Sequence, residues 1–189
     1  MKTRYPATLA SEVAHSLVAL LQHVCERITI AGSLRRGKSE VGDVEILFVP
    51  KIEQRPDGLF DTQQVDLAAL WIDKLLADGV LQKRPSVIGR FAWGLQNKLA
   101  IHTASGIPVD FFSTTEAHWF VSLIIRTGPA QFNPNLIMSL DSRGYKLHAY
   151  GPGTGLVNKK TGEDVIVTSE EQILHLAGMK YFTPEERRA

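Results

Sequence analysis

Ala31-Gly32-Ser33-Leu34-Arg35-Arg36-Gly37-Lys38-Ser39-Glu40-Val41-Gly42-Asp43-Val44-Glu45-Ile46-Leu47-Phe48 decides the reading of this chain. It places a Gly-Ser turn, an arginine doublet, further glycine-containing turns and two alternate carboxylates within one short span. Gly32 and Ser33 offer backbone N–H groups and a hydroxyl to phosphate oxygens. Arg35 and Arg36 offer planar, charge-assisted donors to the same kind of ligand. On a strand, Asp43 and Glu45 point to one face. Two carboxylates so placed repel each other unless a cation lies between them, and hard oxygen ligands suit Mg²⁺. Phosphate donors beside such a pair imply chemistry on a nucleoside triphosphate.

A third carboxylate, Asp110, lies in the apolar stretch Ile107-Pro108-Val109-Asp110-Phe111-Phe112. An unpaired carboxylate buried there would cost several kcal/mol, so it needs a partner or a metal. Three carboxylates on adjacent strands can hold two divalent ions about 3.5–4 Å apart, an arrangement suited to phosphoryl transfer. Taken singly, Asp43 reads equally well as a turn residue after Gly42, and Glu45 as a solvent-facing strand position. Those readings do not account for the Gly-Ser turn, the arginine doublet and the later Asp together.

The rest of the chain is ordinary in bulk. It has 189 residues, 44% apolar and 22% charged, with a net charge of +1, so overall charge does not announce a nucleic-acid binder. The charge distribution says more. Between Leu81 and Val109 stand Lys83, Arg84, Arg90 and Lys98 with no acid, a local basic stripe. One cysteine, Cys25, permits no internal disulfide and fits a cytoplasmic setting. No signal peptide and no membrane span is expected. His102, His118, His148 and His175 lack zinc-site spacing. Trp71, Trp93 and Trp119 read as packing residues. Gly151-Pro152-Gly153-Thr154-Gly155 lacks the Lys and helix of a P-loop and reads as a turn.

Apolar spacing predicts a helix over 8–26, a short strand over 28–31 and a strand over 41–49. On the latter, Val44, Ile46 and Phe48 share one face, while Asp43, Glu45 and Leu47 share the other. A loop is predicted over 51–61, a helix over 62–78 with Gly79 at its stop, and strands over 91–102 and 107–112. Helices follow over 115–126 and 133–143. A strand pair is expected around 146–150 and 158–162. A last helix opens on the capping box Thr168-Ser169-Glu170-Glu171 and stops at Gly178. The expected fold class is α+β, a mixed sheet with flanking helices followed by a smaller α+β unit. The boundary falls near residue 114, giving 1–114 and 115–189.

Gly32-Ser33, Arg35-Arg36, Gly42-Asp43-Val44-Glu45 and then Asp110 resemble the nucleotidyltransferase core of family X DNA polymerases, the DNA polymerase beta type. Arg126-Thr127-Gly128 through Asn133 is similar to that family's Thr-Gly turn and following Asn. Arg90 to Gly94 resembles the strand before the third Asp, and Thr168 to Arg187 the closing segment. The resemblance spans roughly residues 28–187. It implies a palm over 1–114 and a thumb over 115–189 that closes on the nascent base pair. It further implies Asp43, Glu45 and Asp110 as catalytic ligands of two Mg²⁺ ions, with Asp110 accepting the proton of the primer 3′-hydroxyl. Gly32, Ser33, Arg36, Gly42, Arg126, Thr127, Gly128 and Asn133 would bind the nucleotide. DNA primer-template would meet Arg35, Lys83, Arg84, Arg90 and Lys98.

The function so implied is a DNA polymerase adding dNMP to a primer 3′-hydroxyl in short-gap or repair synthesis. The alternatives are a template-independent or ribonucleotide-accepting transferase on another acceptor, and a catalytically silent DNA-binding homologue. The chain departs from the family pattern at four places. Glu45 stands for the usual Asp, which makes Mn²⁺ a competitor of Mg²⁺. Val41 replaces a frequent Ser, Ile125-Arg126 replaces aromatics near the sugar, and Ala130 replaces a residue near the base. About 27 residues precede the first predicted core strand. That leaves no expected room for a lyase domain or DNA clamps, and predicts a weak, salt-sensitive hold on DNA.

Overall fold

The computed structural model describes residues 3–58, 61–149 and 154–187. The chain opens with a two-residue strand β1 (Tyr5–Pro6) and helix α1 (Ala7–Leu21). Ala10, Val13, Ala14, Leu17 and Leu21 are its buried stripe, at the spacing of one helix face. The helix is shorter than its periodicity predicts. A 3₁₀ turn at Gln22–Val24 ends it, and β2 begins at Cys25 and runs to Ile30. Extended pairing with the next core strand takes Cys25 and Glu26 from the predicted helix, with an irregularity between Cys25 and Arg27.

After β2 the Gly-Ser segment forms a single helical turn, α2 (Gly32–Arg35), then β3 (Glu40–Val41) and β4 (Val44–Pro50). β1 pairs with β3, Tyr5 opposite Val41, which pins the start of the chain beside the Gly-Ser segment. Next come β5 (Ile52–Asp57) and β6 (Asp61–Asp66), an exposed antiparallel hairpin, and α3 (Leu67–Ala77). The predicted loop over 51–61 and helix start at 62 are therefore corrected. Asp66 caps the helix by accepting from the Ala69 N–H at 2.8 Å, so residues 62–66 remain extended.

β7 (Leu81–Lys83), β8 (Asn97–His102) and β9 (Pro108–Ser113) complete a mixed five-stranded sheet, ordered β2-β4-β9-β8-β7. β4 and β9 are parallel and the other neighbours antiparallel. The strand expected from residue 91 begins at Asn97; Phe91 and Trp93 make isolated bridges only. β4 is buried on both faces. Val44, Ile46 and Phe48 pack with Leu17, Ile72 and Leu75. Leu47 and Val49 pack with Phe112, Trp119 and Leu123 on the opposite face. Full burial of each such aliphatic side chain contributes about 1.5–3 kcal/mol. Trp119 is buried in this core, as expected.

Beyond the sheet come a 3₁₀ turn at Glu116–His118, α4 (Trp119–Thr127) and α5 (Phe132–Ser142). Then follow the hairpin β10 (Tyr145–His148) and β11 (Gly155–Asn158), and α6 (Glu170–Leu176). Ser169 accepts from the Gln172 N–H, and the Gln172 side chain accepts from the Thr168 N–H, so the box closes through Gln172. Val121, Ile124, Ile125, Leu136, Leu140, Leu156 and Ile173 form a second buried cluster. α4 faces both clusters, the sheet through Trp119 and Leu123 and the later elements through Ile124 and Ile125. Tyr150 and Gly151 to Gly153, part of the predicted strand and glycine-rich turn, lie outside the described residues. No helix among the described residues is long and apolar enough to cross a membrane.

Candidate active site

Parallel pairing of β4 with β9 sets Glu45 directly opposite Asp110, so their side chains leave the sheet on the same face. Asp43, two residues before Glu45, joins them at the strand entrance. Glu45 is strongly perturbed. Burial, then the charges of Asp43 and Asp110, push its carboxyl up to about 8 against the pull of Arg126 and Arg36. The Glu45 side chain folds back onto the Gly-Ser turn. A Cβ at Gly32 would lie 1.9 Å from its Oε2, and Gly32 itself has φ +64°. Only glycine fits there without strain.

Asp110 is held by an ion pair with Arg84, both side chains largely buried. Among the described residues, no three His, Cys, Asp or Glu side chains surround a common metal position. The donor set nonetheless fits a hard divalent cation. The charges of Asp43 and Asp110 both act on Glu45, and that repulsion is what a bound cation would relieve.

Opposite the carboxylates stands the end of α4. A cavity of about 580 Å³ separates the two sides. Arg4, Ser33, Arg36, Gly42, Asp43 and Glu45 line it from the sheet side. Arg126, Thr127, Gly128, Gln131 and Asn133 line it from the helical side. All eight residues expected on the nucleotide sit at this cavity or, for Gly32, against its Glu45 wall. Arg126 stacks 3.6 Å from the centroid of the Phe112 ring. Asn133 donates its amide to the Ile125 carbonyl at 3.0 Å, and its Oδ1 has no hydrogen-bond partner among the described residues. Gly128 has φ +62° at the turn where α4 ends.

The arginine doublet divides its work. Arg36 Nη1 donates to the Thr127 carbonyl while the residue lines the cavity. Arg35, expected on DNA, is turned inward. It donates to both carboxylate oxygens of Glu170, at 2.9 and 2.6 Å, and to Thr127 Oγ1 at 2.6 Å. Arg187, buried beneath, donates to the same carboxylate at 3.0 Å. Burial alone would raise the Glu170 pKa, but the hydrogen bonds from Arg35 and Arg187 outweigh it and hold the group below its ordinary range. The network ties the Gly-Ser turn to the end of α4 and the start of α6.

The basic stripe is also redistributed. Arg84 is engaged by Asp110. Lys98 is buried, its Nζ 3.4 Å from Asp73 and 5.1 Å from the centre of the Trp93 ring, because strand alternation on β8 turns it inward. Arg90 is exposed, and Lys83 is exposed beside the Trp93 ring. Of the five residues expected on DNA, those two remain presented to solvent.

Two contributors were not legible in the sequence. Arg4 is an isolated arginine with no motif around it; the β1–β3 pairing alone brings it to the cavity. Glu170 reads as a helix-cap residue, and only folding places it on Arg35. Residues 122–188 match the family model described as DNA polymerase beta thumb. The match covers most of α4 and everything after it, including Arg126, Thr127, Gly128 and Asn133 on the cavity and Glu170 beneath it. This match to a DNA polymerase beta thumb, behind a mixed α+β sheet, supports a family X polymerase-like protein.

Proposed function

We propose that the chain is a metal-dependent nucleotidyltransferase that adds deoxynucleotides to a primer 3′ end, in short-gap or repair synthesis. The observation that carries this reading is the lining of the 580 Å³ cavity, which combines carboxylates, phosphate-type donors and the turn that ends α4. Asp43 and Glu45 line it with Ser33, Arg36 and Arg4 on the sheet side and Arg126, Gly128 and Asn133 on the helical side, and Arg36 reaches across to the Thr127 carbonyl. A triphosphate held by Ser33, Arg36 and Arg4, with its sugar and base against Gly128 and Asn133, would bring the α-phosphate to Asp43 and Glu45. We assign residues 1–114 to a palm and 115–189 to a thumb, with α4 packed on both.

Asp43, Glu45 and Asp110 would hold the divalent cation, Mg²⁺ with Mn²⁺ as competitor. A bound cation supplies charge neutralisation at the phosphates and acidifies the attacking hydroxyl. Ser33 and Arg36 hold phosphate oxygens, and Gly32 keeps Glu45 in place. Thr127 positions both arginines from behind. Asp110 takes the 3′-hydroxyl proton after Arg84 gives up its carboxylate. The stacked Arg126 lies where sugar selection would occur.

The test is primer extension on gapped and single-primed DNA with Mg²⁺ or Mn²⁺ and each deoxy- and ribonucleotide. Extension of the primer by the deoxynucleotides is expected. Absence of product with either metal refutes the reading. Untemplated addition or ribonucleotide use would move it to the alternative transferase. A second expectation concerns Arg4, which makes no hydrogen bond or ion pair among the described residues. Arg4→Ala raises KM for the nucleotide about tenfold, the scale of one charge-assisted hydrogen bond, and leaves kcat within about threefold. An unchanged KM removes Arg4 from the site.

A further inference from the structure

The wall of the cavity that carries Ser33 and Arg36 opens onto a further space. A second cavity of about 480 Å³ adjoins it, and Arg4, Ser33, Arg36, Pro129 and Gln131 line both. Beyond that shared wall the new residues are Lys38, Ser39, Glu40 and Arg187. Four cationic side chains thus line the space against one carboxylate, Glu40. Glu185 is the other acid at this end, placed close to Gly37.

The cations are incompletely satisfied. Arg187 is 2% exposed, and its Nε and Nη2 have no hydrogen-bond partner among the described residues. Its partner Glu170 is shared with Arg35, so this buried group carries two guanidiniums on one carboxylate. The buried Nε of Arg36 is likewise unpartnered among the described residues. Burial lowers the Arg36 pKa, and Arg187 adds to that effect, against the opposing pull of Glu45 and Asp43. Lys38 stands exposed at the rim, its backbone N–H donating to the Ser33 carbonyl and its ammonium in no hydrogen bond or ion pair among the described residues. A buried cationic surplus behind an open basic wall is a place for additional negative charge.

We infer that this second cavity is an oligophosphate subsite, so that the chain accepts nucleoside 5′-tetraphosphates as donors and releases triphosphate as the leaving group. The inference rests on the nucleotidyltransferase reading for the orientation of the donor. In the reaction the primer 3′-oxygen bonds to the α-phosphorus and the bond from that phosphorus to the β-bridging oxygen breaks. The leaving triphosphate takes the electron pair, and the hydroxyl proton passes to Asp110. Nothing is oxidised or reduced. The fourth phosphate would lie past Arg36, where Lys38 reaches it.

The test compares 2′-deoxyadenosine 5′-tetraphosphate with the triphosphate in primer extension by the 189-residue chain. The tetraphosphate is expected to show a KM about three- to tenfold lower, the effect of one added charge-assisted contact. Lys38→Ala removes that advantage and shifts the triphosphate KM by less than about twofold. A tetraphosphate KM equal to or above that of the triphosphate overturns the inference, as does an equal effect of Lys38→Ala on both donors. Calorimetry with inorganic tripolyphosphate and pyrophosphate separates the two levels of the argument. Tripolyphosphate is expected to bind about tenfold more tightly, and equal binding overturns the subsite. Tighter tripolyphosphate binding without extension from either donor upholds the subsite and refutes nucleotide transfer.

Discussion

Asp43→Asn lowers the rate of nucleotide addition by about 10³-fold or more while leaving the fold intact or slightly more stable. The two halves of this expectation share one cause. Asp43 lines the cavity and stands among the groups whose charge raises the Glu45 pKa. Removing its charge takes away a cation ligand, and loss of a preorganised group that stabilises transition-state charge costs about 10²–10³ even for a neutral donor. The same change relieves repulsion on Glu45, so the melting temperature stays level or rises, a trade between stability and activity seen at strained sites. Asp110→Asn should behave similarly in rate. Its stability changes the other way, because the buried Arg84 loses its carboxylate partner. A rate within tenfold of wild type for Asp43→Asn, measured in single-turnover primer extension, would remove the carboxylates from catalysis.

Glu170→Ala destabilises the chain by about 3–5 kcal/mol, the cost of leaving buried charges unpaired. Glu170 accepts from Arg35 through both its oxygens and from Arg187 through one of them. Arg187 is wholly buried, so water cannot replace the lost carboxylate. The pH dependence has a definite sign. The folded-state pKa of Glu170 is depressed. Its contribution is therefore fully present above the ordinary glutamate range, about 4.3, and is lost as pH falls through the depressed value. Urea titrations from pH 7 down to about pH 3 should show a declining limb for wild type that Glu170→Gln flattens. A loss below about 1 kcal/mol for Glu170→Ala would mean that the network does not hold the Gly-Ser turn against α4 and α6.

The elements of the candidate site were the easiest to read, and the reason is local. Gly32 is demanded by a backbone with positive φ pressed against Glu45, and such positions show as glycine in any sequence. The alternation Asp43, Glu45 follows from the two-residue period of a strand, and Val44, Ile46 and Phe48 gave the core face directly. Misreadings fell where two conformations compete on equal local terms. Residues 62–66 carry polar and β-branched side chains next to a strongly helical run, and the Asp66 cap decides where the helix starts. Cys25 and Glu26 fall at the end of the helix predicted over 8–26 but belong to β2, which finds its partner in β4.

The residue types, their spacing and their periodicity determined on their own the mixed α+β character of the chain. They also picked out Asp43 and Glu45 as neighbours and the Thr127-Gly128 turn, because each depends on short-range geometry, while the pairing of β4 with β9 sets Asp110 opposite Glu45. Only the tertiary structure decided what each cation does. Arg35 and Arg36 are adjacent in sequence, yet Arg35 is spent on Glu170 while Arg36 reaches the cavity. Lys98 turns inward although it lies in the same basic stripe as the exposed Arg90. Arg4 arrives at the site through a two-residue strand pairing. A long cationic side chain has no periodic signature of its own, and its partner is set by contacts distant along the chain.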